Sequence, residues 1–140
     1  MSKQAAVRVS SNTDPFQSTY EALRKLLTRH APPFALSGME NEKPQLHLRT
    51  PKQIVVPGAY GGKAQHIALA CVILQKGYVG FYYFPLYLDP RLQEQLSPRL
   101  RKLLKGKTCF HIKGIDEELE RDIESALNIG KTYFRDQGWI

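Results

Sequence analysis

The sequence has no apolar run approaching the roughly 18 residues of a membrane-spanning helix. Its longest such run, residues 67–74, is only of strand length. A membrane partner is therefore not expected. The N-terminus also lacks an apolar signal core, so the expected location is the cytoplasm. Cysteine is scarce. Cys71 and Cys109 both sit in apolar runs and read as buried free thiols of a reducing compartment, not as a disulfide frame. The local signatures of catalysis are missing too. There is no Gly-x-Ser-x-Gly elbow, no Gly-x-x-x-x-Gly-Lys phosphate loop, and no carboxylate pair placed on strand ends. His30, His47, His66 and His111 fall into no His-x-x-x-His spacing, and no Cys-x-x-Cys occurs. These absences leave no catalytic residue, no cofactor and no metal site to name, and they tilt the reading away from an enzyme.

What is present is an ordinary globular composition, 42% hydrophobic and 24% charged, on 140 residues, which suits one domain with a real core. Charge is unevenly spread. Residues 1–115 carry 17 Lys or Arg against 6 acids, a net +11, whereas residues 116–140 carry 3 against 7, a net −4. A basic body with an acidic end suggests either attraction to polyanions or an internal match between neighbouring elements.

The chain is organised around a hairpin. Residues 67–74 (Ile-Ala-Leu-Ala-Cys-Val-Ile-Leu) form one arm, Lys76-Gly77 the reversal, and residues 78–84 an aromatic second arm. Before it, residues 1–12 read as a disordered tail, and the single domain is expected over 13–140. Asp14-Pro15 reads as a helix start, followed by the apolar stripe Phe16, Tyr20, Leu23, Leu26 and Leu27, which Ala31-Pro32-Pro33 stops. Residues 34–38 suit a short strand and 40–44 a polar turn. Residues 45–50 alternate, with Leu46 and Leu48 on one face; 53–56 suit a short partner and 57–65 a loop.

After the hairpin, Asp89-Pro90 and Ser97-Pro98 mark two helix starts, predicting a kinked helical pair over 90–105 that Gly106 ends. Residues 107–113 read as a strand with Cys109, His111 and Lys113 on one face. Gly114-Ile115-Asp116 opens a last helix with the stripe Leu119, Ile123, Ala126 and Leu127, which Tyr133 and Phe134 extend if Gly130 does not end it. Its early acids complement the positive helix end. The expected fold is α+β: an antiparallel, mostly meandering sheet of about five strands, with the N- and C-terminal helices on one face.

The opening helix ending near Pro32-Pro33, the Ser37-Gly38-Met39 turn, the Val79-Gly80-Phe81-Tyr82 hairpin arm and the closing acidic helix together resemble the YdhG-like family, a domain of unknown function. That resemblance implies a small α+β domain over most of residues 14–135. Some members of the family are likened to frataxin, an iron-handling fold. It implies no reaction.

The strongest functional lead is a run of five cations, Arg99, Arg101, Lys102, Lys105 and Lys107, with no acid among them. At helical spacing Lys102 and Lys105 share a face. Beside the aromatic strand they suggest a groove for a small anionic ligand, with Tyr82 and Tyr83 as flat contacts and Arg99, Lys102, Lys105 and Lys107 as charges. A subunit interface, giving a homodimer, is the other use open to the exposed aromatic face. Nucleic acid would need a larger basic stripe and is not the expected partner. The alternative reading is a frataxin-like metal carrier using acids of the final helix with Cys109 and His111.

Overall fold

A computed structural model describes residues 15–39 and 43–140. The expected tail, Asp14 and most of the turn over 40–44 lie outside that range. In chain order the elements are α1 (Gln17–Thr28), β1 (Ala35–Met39), β2 (Gln45–Arg49), β3 (Ala68–Gln75), β4 (Tyr78–Tyr83), α2 (Pro85–Leu88), α3 (Pro98–Arg101), β5 (Leu104–Lys105), β6 (Cys109–Ile112) and α4 (Glu117–Asp136). A 3-10 turn over Tyr60–Gly62 lies in the β2–β3 connection, and another, Pro90–Gln95, joins α2 to α3.

The hairpin closes at Lys76-Gly77, where Gly77 takes a φ of +92°, a left-handed backbone that glycine adopts without steric cost. Around it the strands form one six-stranded antiparallel sheet in the order β1-β2-β3-β4-β6-β5. The architecture is therefore α+β as the sequence suggests. The sheet has one strand more than expected, and β6 inserts between β4 and β5.

Strand pairing sorts the side chains into two faces, because directly opposed residues share a side. Ala70, Tyr83 and Leu48 align on one face, as do Val72, Phe81 and Phe110, and Leu74, Val79 and Ile112. All of these are buried. α1 covers them with Tyr20, Leu23, Leu26 and Leu27, and α4 with Leu119, Ile123, Ala126, Leu127 and Phe134. Leu48 pairs with Ala70 but Arg49 with Ala68, so Leu69 is the extra residue of a bulge. The bulge leaves Leu69 fully buried and in reach of α4.

Gly130 does not end the last helix, which runs to Asp136. A Cβ at Gly130 would stand 2.7 Å from Leu69 Cδ1, 2.9 Å from Pro85 Cγ and 3.0 Å from the Tyr83 hydroxyl. The glycine is there for close approach of helix to sheet. Tyr83 donates its hydroxyl to the carbonyl of Ala126, tying β4 to α4. His30, buried at the end of α1, meets the Glu124 carboxylate through Nε2 at 3.1 Å and links the two helices.

Two local expectations need correction. α1 begins at Gln17 with Phe16 before it and no side-chain cap, so Pro15 lies two residues ahead of the helix, in the turn that leads into it. The helical pair over 90–105 is shorter than expected. Asp89 and Ser97 do cap, accepting from the amides of Arg91 and Leu100, but α3 ends at Arg101 and Leu104–Lys105 is strand β5. Gly106, at φ +89°, turns a β5–β6 hairpin where the sequence reading has it end a helix.

Candidate functional site

The second face of the sheet carries Ser37, Gln45, His47, Arg49, Cys71, Ile73, Gln75, Tyr78, Gly80, Tyr82, Cys109, His111 and Lys105, by the same pairing. Unlike the helix side, it keeps its side chains partly exposed, Cys71 excepted. Tyr82 lies across this surface over Gly80; a Cβ there would sit 2.7 Å from Tyr82 Cε1. The Tyr82 hydroxyl accepts from Gln75 Nε2 at 3.2 Å. Tyr78 stacks on His111 with ring centroids 3.8 Å apart and planes 12° from parallel.

At the β5–β6 edge this face runs into a cavity of about 370 Å³. Arg99, Lys102, Lys105, His111 and Lys113 line it, with Leu103, Gly114 and Leu119 completing the wall. Three elements bring the cations together. Ser97 caps α3, whose end releases Lys102; the Gly106 turn carries Lys105 back alongside Cys109; and β6 delivers His111 and Lys113. The amide of His111 donates to the Leu103 carbonyl at 3.0 Å, which fixes the cavity floor. Among the described residues no carboxylate lines this cavity.

Arg99 differs from the lysines. Its two terminal nitrogens meet both Asp116 oxygens at 2.9 and 2.8 Å, and one also meets Glu118 at 3.2 Å. The bond from Arg99, then that from the Leu119 amide, hold the Asp116 carboxyl down at about 2. Part of the basic run thus answers the acidic start of α4. Lys102, Lys105 and Lys113 form no ion pair among the described residues, and their charge is left to the cavity.

The sequence-based residues are therefore partly reunited. Arg99, Lys102 and Lys105 share the cavity, although Lys102 and Lys105 do so from a helix end and a strand, not from one helix face. Lys107 stands exposed in the β5–β6 turn and is not part of the lining. Tyr82 lies on the open face nearby, opposite Cys109. Tyr83 must be withdrawn as a flat contact: it points the other way, is wholly buried and is bonded to α4. Sequence reasoning missed His111 and Lys113 as members of the site. The signal was present in the alternation of residues 107–113, which puts them on one face with Cys109.

Neither thiol is activated as a nucleophile. Burial, with Cys109 nearby, pushes the Cys71 thiol up to about 12, and burial raises that of Cys109 as well. A reactive cysteine needs the opposite shift. Burial and the contact with Cys109 likewise keep the Tyr82 phenol protonated, at about 12. Among the described residues no group of three His, Cys, Asp or Glu side chains is placed to hold a metal ion. The α4 acids Asp116, Glu118 and Glu124 are engaged by Arg99 and His30.

Two other concavities are less selective. A groove of about 760 Å³ between α1 and α4 alternates Arg29 and Arg121 with Glu117, Glu120 and Glu124, favouring neither sign of charge. A cleft of about 600 Å³ beside Gly58 is walled by Tyr87, Tyr133 and Trp139 and, among the described residues, carries no charged side chain. Among the described residues no helix is long and apolar enough to cross a membrane. Comparison with known families, curated proteins and solved structures returned no match.

Proposed function

We propose that this protein binds a small anionic ligand, without transforming it, in the cavity between α3, β5 and β6. One observation carries the reading: Lys102, Lys105 and Lys113 converge with His111 on a concave surface, and among the described residues none of the three is ion-paired and no carboxylate lines it. Uncompensated like charges at close quarters raise one another's energy, and an anion relieves that repulsion. Lysine donors suit phosphate or carboxylate as compact point charges. His111, clamped against Tyr78, offers a ring nitrogen of fixed orientation. The same packing raises the neighbouring thiols and so offers the cavity no thiolate.

The test is thermal unfolding in the presence of inorganic pyrophosphate and a panel of phosphorylated metabolites. A ligand at a hundredfold excess over its Kd stabilises by about 2.7 kcal/mol, a shift of several degrees. The double variant Lys102→Glu, Lys105→Glu should fold with nearly unchanged stability, because both positions are exposed, and should lose that shift. A parent protein that no anion stabilises, or a variant that responds equally, removes the proposal.

A further inference from the structure

We propose that the anion cavity also takes phosphates of a single-stranded nucleic acid, whose bases lie on the rings of the open sheet face. The inference rests on the anion reading above and adds what that reading leaves unused. Directly beside the cavity, two ring platforms lie on the same side of the sheet. The Tyr82 ring lies over Gly80, which has no side chain to hold it off the strand. The stacked pair Tyr78 and His111 adjoins it, and His111 itself lines the cavity. A flat ring on an open sheet binds any base through its π face, whatever the sequence. Splayed single strands present such bases; duplexes bury theirs.

Charge makes the same selection. Among the described residues, no Asp or Glu occupies a position on the open face, whereas Arg49 and Lys105 project from its strands and Lys113 follows β6. Lys43, bonded to Gln75 Oε1 at 2.6 Å, stands at its far end. The acids of the described residues lie instead on α1, on the turn between α2 and α3, and on α4. The sheet therefore separates helices of mixed charge from a basic face bearing aromatic rings. A lone phosphate uses the cavity and leaves the rings idle. An acidic peptide matches the charge but brings no bases to stack.

The probe is a 5′-fluorescein oligothymidylate of about 10 nucleotides, within the site sizes of single-strand platforms, titrated by fluorescence anisotropy at several salt concentrations. The log affinity should fall against log salt with a slope of about −2, as for three phosphates contacted on a single strand. Tyr82→Ala and Tyr78→Ala should each weaken binding about fivefold to hundredfold, the strength of one stacked base, while Tyr82→Phe binds as the parent does. Tyr82→Leu, which fills similar space without a π face, should behave like the alanine variant; its response to pyrophosphate shows that it has folded. Inorganic polyphosphate or polyglutamate that competes as well as the oligonucleotide overturns the inference. So does pyrophosphate binding without any preference for the oligonucleotide, which leaves the anion site standing. Oligonucleotide binding that survives Lys102→Glu, Lys105→Glu also overturns the inference, while the anion site itself stands or falls on the loss of the pyrophosphate response in that variant.

Discussion

Replacing Gly130 by alanine separates two opposed effects whose balance depends on how α4 meets the sheet. In an exposed helix interior the change is favourable by about 1 kcal/mol, because alanine loses less backbone entropy. Here the new methyl would enter a space bounded by Leu69 at 2.7 Å, Pro85 at 2.9 Å and the Tyr83 hydroxyl at 3.0 Å. Leu69 is fully buried in the bulge, the Pro85 ring cannot rotate away, and Tyr83 is held by its bond to Ala126. Overpacking of this kind costs about 1–3 kcal/mol, and three constrained neighbours place it near the upper end. The net expectation is a loss of about 1–2 kcal/mol, or about 3–8 °C in Tm for a domain of this size. Differential scanning calorimetry of Gly130→Ala beside Asn128→Ala, at an exposed position of the same helix, reads this directly. The control should be neutral or slightly stabilised. A Gly130→Ala protein that melts higher than the parent would show that α4 does not lie against β3 and β4 at this distance.

Two further outcomes follow from the electrostatics. The Asp116 carboxyl is depressed to about 2 chiefly by Arg99, so its contribution to stability is present above the ordinary carboxylate range and is lost as pH falls from about 4 towards 2. Melting curves of Arg99→Ala should therefore decline less than those of the parent across that window; parallel declines would contradict the pairing. The two thiols should differ in reactivity: at pH 8 an aromatic disulfide reagent should modify half-buried Cys109 well before Cys71, which is buried and raised to about 12. Equal rates in the native protein, matching those in denaturant, would place Cys71 at the surface.

Much of the sheet and both long helices were legible because their patterns are strongly periodic. Lys76-Gly77 between two apolar runs gives the hairpin, and stripes at three- and four-residue spacing give α1 and α4. The residues flanking Pro90 and Pro98 also behave as their types require. What failed was short-range. Leu100, Leu103 and Leu104 fit a helical stripe, and leucine favours helices, yet two residues of β5 pair with β6 because Gly106 reverses the chain. Only the tertiary partner decides such a segment.

The aromatic strand shows the same limit at the level of the site. Alternation alone puts Tyr82 and Tyr83 on opposite faces but leaves open which face meets the helices. The apolar parity of Val79 and Phe81 carried that information, and it assigns Tyr83 to the core. Convergence of Lys113 and His111 with Lys102 and Lys105 depends on the order β4-β6-β5, which no local pattern specifies.

The central claim is that a phosphate-bearing ligand settles between α3, β5 and β6. Titrating the isotopically labelled protein with pyrophosphate and following its amide resonances measures this most directly. The largest shifts should fall at Lys102, Leu103, Lys105, His111 and Lys113 and saturate together. Shifts confined to Arg29 and Arg121 in the α1–α4 groove, or none at saturating pyrophosphate, would contradict it.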